Sequence, residues 1–421
     1  MNRRNFLKLA AAGSAATLLP SMLSAAAAGA GEGGSVGDDV NAPDELANEL
    51  ARHRIKSIRF APVQLRYPRL VGKNSRLGVH GTGPRMMFCV LVTDTGAEGL
   101  GLLRGRRELA QQVFDGSIKG KAVSDLFLPA KGTLNEQQHG CFDFCLHDLA
   151  GVILNKPVYE LISASDSASA SKTPILTKCY SGMIYFDEME PENKPAGLGK
   201  VLENCQYDYD YGYRQLKIKI GRGGKWMSKS DGLKTDIEVT RMIHEHFPDC
   251  ELLVDGNDAF TVDYLISYLR GIEDVPLYWI EEPFRETRPD YQALKQWLAT
   301  NSRRDTLLAD GEADPDYDLV FALGKEQLLD VHLADIQSYG FTNWRQLMPR
   351  LKAIGMMASP HAWGSAVKSF YVAHLAAACG NVPTIEGVTC FSDDIDLSAY
   401  TLKRGQLHPS AAPGFGMKLL R

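Results

Sequence analysis

The chain has no surplus of positive charge. Lys and Arg number 46 against 51 Asp and Glu, for a formal net charge of −5. A surface built to grip a polyanion is excluded, and no nucleic-acid partner is expected. Cysteines are few, eight in 421 residues, and none precedes Cys89. That excludes a small disulfide scaffold and an N-terminal lipid-anchored cysteine, and no spacing matches a zinc site. Cys141-x3-Cys145 reads as one face of a helix. Long apolar runs are missing too. The stretch after Lys8 is broken by Gly13 and Pro20, so no membrane span is expected. What is present is an ordinary soluble composition, 44% hydrophobic and 23% charged. It excludes global disorder and supplies a core for two domains, or for a barrel with an added domain.

The start, Arg3-Arg4-Asn5-Phe6-Leu7-Lys8, precedes an Ala-rich apolar stretch. This is a charged n-region, an h-region and small residues for cleavage. The paired arginines with Phe and Leu behind them resemble a twin-arginine export signal. That resemblance implies a translocase partner and an exported, periplasmic location. It also implies export in the folded state, with metal acquired before crossing and no need for the cysteines to pair. Residues 1–28 are assigned to the signal and 29–50 to a linker. Residues 51–165 form an expected α+β capping domain, with strand patterns at 55–60, 87–93 and 99–102 followed by helical stretches. The Ser/Ala-rich stretch 163–172 reads as a connector.

From residue 173 to 395, short β-type runs alternate with helix-like segments. The runs are 174–180, 216–220, 251–255, 277–281, 306–310, 331–335, 355–359 and 383–386. Eight strands with helices between them predict an α/β fold, a parallel barrel behind the cap. Seven of them end on or near Lys219, Asp255, Glu281, Glu312, Asp335, His361 and Glu386, which recur every 23–36 residues. One carboxylate after a strand is often only a helix N-cap. Seven in register converge on the single rim where barrel active sites form.

Asp255, Glu281 and Glu312 are three hard oxygen ligands from consecutive strands, suited to Mg²⁺, with Mn²⁺ as the alternative. Glu282 and Asp310 are neighbours that compete for the same reading. Lys217-x-Lys219 places two ammonium groups on one strand face, pointing into the barrel. Facing metal and lysine charge, Lys219 is expected to have its pKa pushed down, so that it can accept a proton. Lys217 is expected to bind the substrate carboxylate. Asp335, one unit before His361, reads as the carboxylate that fixes the imidazole tautomer.

Cys141 to Ile162 reads CFDFCLHDLAGVILNKPVYELI. Asp143, Leu146, Asp148, Leu149, Gly151 and the run Lys156-Pro157-Val158-Tyr159 resemble the hinge motif of the enolase superfamily. Val254-Asp255-Gly256-Asn257, Ile280-Glu281-Glu282-Pro283 and Asp310-Gly311-Glu312 resemble its metal-ligand motifs. The lysine pair opposite an Asp–His pair resembles the mandelate racemase subgroup. The resemblance implies a (β/α)7β modified TIM barrel, with 396–421 returning to the cap. It selects Asp255, Glu281 and Glu312 as ligands, supported by Asn257 and Glu282. It implies that Glu386 is a carboxylic acid hydrogen-bonded to the developing enediolate, and that the protein is a homo-oligomer. Phe341 stands where members usually carry a second Gly, and Gly99-Leu100-Gly101 lacks the Glu that many carry just after it.

The implied reaction is removal of the proton α to a carboxylate. The favoured outcome is dehydration of an aldonate or aldarate to a 2-keto-3-deoxy acid by a lyase. A racemase or epimerase of 2-hydroxy acids uses the same residues. A non-catalytic exported carbohydrate binder is the alternative of another class. Lys73, Asn74, Arg76, His80, Arg104, Arg106 and Arg107 are polar enough to bind hydroxyls or a second carboxylate, or are solvated loop residues.

Overall fold

The computed structural model describes residues 42–163, 174–312 and 314–420. The expected signal, the first part of the linker and most of the Ser/Ala connector lie outside the described residues. The end of the expected linker is a helix, α1 (Ala42–Ala51). Pro43 tolerates a first turn, Asp44 and Glu45 suit its dipole, and fully buried Leu50 anchors it. The composition shift at Gly-rich 29–41 masked that start.

The cap is a three-stranded antiparallel sheet, β1 (Ile55–Gln64), β2 (Arg85–Thr93) and β3 (Glu98–Leu102), followed by helices. The helix α2 (Asp143–Ile153) lies against this sheet. Cys145 is on α2, whereas Cys141 precedes it in a 3₁₀ turn. Two carboxylates of α2 act as internal ties. Asp148 accepts from Leu100 N (2.7 Å) and Phe415 N (2.6 Å), joining β3 to the C-terminal segment. Asp143 accepts from Thr342 N (3.0 Å) and Thr342 Oγ1 (2.8 Å), joining the cap to the barrel. Phe341 is fully buried, with its ring 4.6 Å from His147 and 5.4 Å from Phe415. The side chain at this position therefore packs into the cap–barrel seam.

Eight parallel strands build the barrel. They are β4 (Thr177–Ile184), β5 (Gln215–Lys219), β6 (Glu251–Asp255), β7 (Leu277–Glu281), β8 (Leu307–Asp310), β9 (Val331–His332), β10 (Met357–Ala358) and β11 (Ile385–Gly387). Successive strands pair in parallel from β4 to β10, and β11 pairs with β4. Between β10 and β11, Ala358 N bonds to Asn381 O (3.0 Å) and Ser359 Oγ to Thr384 O (2.8 Å). Helices follow each of the first seven strands, the (β/α)7β pattern. Tyr180, Leu253, Trp279, Ala309, Val331 and Leu333 pack together as a cluster separate from the main core, from strands that alternate in and out. Strands β9 and β10 are shorter than their apolar runs suggest. The chain leaves the ladder early there, so Asp335 and His361 lie three residues beyond the last paired residue.

Candidate active site

Strand β5 carries the two lysines inward while Leu216 and Ile218 pack outward into the main core. Lys217 Nζ lies 2.5 Å from Glu281 Oε1, 3.0 Å from Glu386 Oε1 and 3.3 Å from Asp255 Oδ2. Burial works against its charge, but Glu281 and Glu386 outweigh burial and hold the pKa well above the ordinary lysine value. Lys217 is thus a fixed buried cation. Lys219 Nζ pairs with Asp255 Oδ2. Burial pulls its pKa down, Asp255 pulls it up, and the net direction is up. The expected depression is for a site with metal beside the lysine pair, and here it is Asp255 that faces Lys219. The depression requires the Asp255 charge to be compensated by something other than Lys219.

The facing wall is His361. Its Nδ1 is 3.1 Å from Asp335 Oδ2, and its Nε2 is 3.1 Å from Glu312 Oε1 and 3.6 Å from Glu386 Oε2. Asp335 does two jobs. Its Oδ1 caps the short helix Ile336–Tyr339 by accepting from Gln337 N (3.0 Å) and Ser338 N (2.8 Å). Its Oδ2 receives His361 Nδ1. One carboxylate therefore both caps the helix and contacts the imidazole. Burial opposes the Asp335 charge, but His361 and Lys368 more than offset it and hold the carboxyl far below its usual range.

Glu386, on the last strand, accepts from Ala362 N (2.8 Å) as well as from Lys217. Burial raises its pKa, Lys217 and His361 lower it, and the balance is about 2. The resemblance implied a carboxylic acid here; with Lys217 in contact the group is ionised at neutral pH. Gly182 on β4 leaves room for it, since a Cβ there would stand 2.7 Å from Glu386 Oε1.

Asp255, Glu281 and Glu312 come from three adjacent strand ends. Glu312 senses Asp255 and Glu281 electrostatically, while Asp255 and Glu281 share the Lys217 ammonium, 3.3 and 2.5 Å away. As placed, no group of three His, Cys, Asp or Glu side chains among the described residues forms a ready cation site; the two ammonium groups bind the carboxylates instead. The donor chemistry still fits a hard divalent cation. Glu281 Oε2 and Glu312 Oε2 are buried without a hydrogen-bond partner, and so is Asn257 Oδ1. Burial pushes the Glu281 and Glu312 carboxyls well above their ordinary values, the signature of negative charge that lacks enough compensation. Asn257 N bonds to Asp255 Oδ1 (3.0 Å) and its Nδ2 to Glu282 Oε2 (3.1 Å), so both residues brace the first carboxylate. Asp310 turns away to Tyr291 Oη and Gly311 N.

Sequence reasoning missed Lys368. Its Nζ binds Asp335 Oδ2 and Trp363 O (2.8 Å) from the helix Ala366–Cys379. A signal existed: that helix is otherwise almost wholly apolar and buried, so a lysine in it needs a buried partner. Of the loop candidates, Arg104 is spent on the carbonyls of Gly140 (3.0 Å), Gln337 (2.6 Å), Ser338 (2.7 Å) and Tyr339 (3.1 Å). Arg107 lies over the Phe60 ring, and Arg106 is exposed at a helix start. Asn74 Oδ1 caps a local turn by accepting from Arg76 N and Leu77 N. Lys73 pairs with Glu190 and lies over the Trp226 ring, while the His80 ring lies beside Tyr185.

The enolase C-terminal domain-like family model matches residues 200–421. The chain belongs to the enolase superfamily. A twin-arginine signal model matches residues 1–20. Among solved structures, a galacturonate dehydratase from Geobacillus sp., complexed with D-galacturonate and 5-keto-4-deoxy-D-galacturonate, is 30% identical. It aligns over 88% of this chain and 95% of its own, with a TM-score of 0.79. A mandelate racemase/muconate lactonizing protein from Geobacillus sp. Y412MC10, complexed with magnesium and tartrate, is also 30% identical, with TM-score 0.80 over 88% and 93%. The arabinonate dehydratase of Saccharolobus solfataricus is 23% identical over 65% of this chain and 67% of its own. Dehydratases of acid sugars thus recur among the relatives of this superfamily member.

Proposed function

We propose that this chain is an exported, Mg²⁺-dependent dehydratase of acid sugars that acts in the periplasm. One observation carries the reading. Lys217 and Lys219 stand on one side of a carboxylate cluster and the His361–Asp335 pair on another, all on one barrel rim. Asp255, Glu281 and Glu312 would hold the cation, which when bound would supply positive charge to the substrate carboxylate.

The chain's own residues supply the rest. Lys217, a permanent cation, receives a carboxylate oxygen of the substrate. Lys219 accepts the α-proton at Nζ once Asp255 is otherwise engaged. Asp335 takes the Nδ1–H of the His361 imidazolium, so the second proton, the one to be delivered, sits on Nε2. His361 Nε2 passes that proton to the β-hydroxyl, which leaves as water. The product is the enol of a 2-keto-3-deoxy acid, or its equivalent in a uronate. The dehydratase relatives support elimination over racemisation. The retained bases argue against a binder, which has no use for them.

Lys219→Ala and His361→Asn variants are expected to lose keto-acid formation while keeping ligand affinity. Equal turnover in either variant sinks the assignment of that base.

A further inference from the structure

His80 sits on the capping loop but belongs to the site wall. Its Nδ1 is 2.8 Å from Gly72 O. A carbonyl only accepts, so Nδ1 carries the hydrogen and Nε2 keeps a lone pair. No donor among the described residues bonds to that Nε2. The ring lies 4.6 Å from Tyr185 and 5.7 Å from Trp363, and Tyr185 and Trp363 are themselves 4.9 Å apart. Tyr185 also lies under the Lys219 ammonium, 5.3 Å from its centroid, and Trp363 follows His361 by two residues. His80 therefore closes an aromatic wall that runs between the two bases. Burial lowers its pKa, the Gly72 bond opposes this and Lys219 adds to it, so the ring stays neutral.

The cations nearby are already engaged. Lys73 Nζ pairs with Glu190 (3.2 Å) and lies over the Trp226 ring (4.7 Å). Arg76 pairs with Asp258 (3.0 Å). Lys225 Nζ donates to Arg76 O (3.0 Å). A carboxylate placed against His80 would meet a lone pair and ring faces, and lose hydration without gaining a counter-charge. A hydroxyl there donates to Nε2 while the sugar's C–H face lies on the rings.

We propose that His80 Nε2 accepts a hydrogen bond from a hydroxyl at the far end of the substrate, so that the substrate class is hydroxyl-ended acids, hexonates or hexuronates, and not hexarates with a second carboxylate. This rests on the acid-sugar reading above.

The test uses mature protein with Mg²⁺ and a hexonate, a hexuronate and a hexarate of matched configuration. Binding is read by calorimetry, separately from keto-acid formation. Wild type is expected to bind a hydroxyl-ended acid at least about 10-fold more tightly than the hexarate. His80→Phe, which keeps a ring but no acceptor, should lose about 10-fold on the hydroxyl-ended acids and little on the hexarate. His80→Gln should restore most of that loss. Equal or tighter hexarate binding by wild type overturns the inference, as does an unchanged profile in His80→Phe or no binding of any of the three. The expected binding profile with no keto acid and no α-proton exchange would uphold the subsite and sink the dehydratase reading instead.

Discussion

Asp335→Asn separates the two jobs of one carboxylate. The amide oxygen can still cap the helix Ile336–Tyr339, where Gln337 N and Ser338 N lie at 3.0 and 2.8 Å. The amide nitrogen cannot accept from His361 Nδ1, now 3.1 Å from Oδ2. The hydrogen is then no longer held on Nδ1, the ring can take the Nε2–H tautomer, and the imidazolium from which Nε2 donates loses its counter-charge. Reversal of a catalytic histidine's tautomer lowers turnover by about 10³- to 10⁴-fold, or about 4–5.5 kcal/mol of barrier. Stability falls as well, because Lys368, with a largely buried side chain, loses its carboxylate. Stranding one member of a buried pair costs about 3 kcal/mol. Asp335→Ala removes the cap too and should cost about 1 kcal/mol more, with no further loss of turnover. The assay is keto-acid formation with NMR of the α-proton, beside denaturant unfolding of each variant. An Asn variant within tenfold of wild-type turnover would refute the dyad and leave Asp335 as a cap alone.

The fold should be acid-sensitive through two buried histidines. Burial pushes His374 down to about 3 and His332 down to about 4. An unfolded imidazole takes a proton below about pH 6.5, so stability is full above that pH and is lost as pH falls toward the folded values; at pH 5 each costs about 2 kcal/mol. His374 Nδ1 accepts from Tyr159 N (3.2 Å), so His374→Asn can keep that bond, and its stability should fall less steeply between pH 7 and 5. Parallel slopes in wild type and variant would contradict this. Phe341→Ala should cost about 3–5 kcal/mol by opening a cavity at the cap–barrel seam, read by denaturant midpoint. Chelation should abolish keto-acid formation and lower the melting temperature, with Mg²⁺ restoring both in wild type but not in Glu281→Gln. A Glu281→Gln variant whose melting temperature still rises with Mg²⁺ would remove Glu281 from the ligand set.

The barrel was legible because its strands are short β-type runs closed by an ionisable residue at unit spacing. Lys219, Asp255 and Glu281 end their strands as that pattern requires. The hinge motif was legible as a motif, but its cause was not. Only the fold shows that Asp143 and Asp148 bind backbone from distant segments. Lys368 was hidden for a similar reason, and His80 stood only among several polar loop candidates. One touches the site from a barrel helix and the other from a cap loop, and neither carries a local pattern announcing its partner. Charge balance was also beyond the sequence. The composition shows which groups are ionisable, but Lys217 beside Glu386 decides which of them is ionised. The start of α1 was misplaced because Gly-rich composition ran up to a helix that, among its described side chains, is deeply anchored by Leu50 alone.

The most direct test follows the α-proton. Mature protein with Mg²⁺ is incubated with hydroxyl-ended acid sugars in deuterated water, under NMR with a carbonyl reagent. Keto acid from at least one compound, lost in Lys219→Ala and in His361→Asn, is the expected result. Exchange or inversion at the α-carbon without keto acid would replace the dehydratase with a racemase. Tight binding of an acid sugar with Mg²⁺ present and no proton exchange would contradict the assignment of Lys219 and His361 as bases.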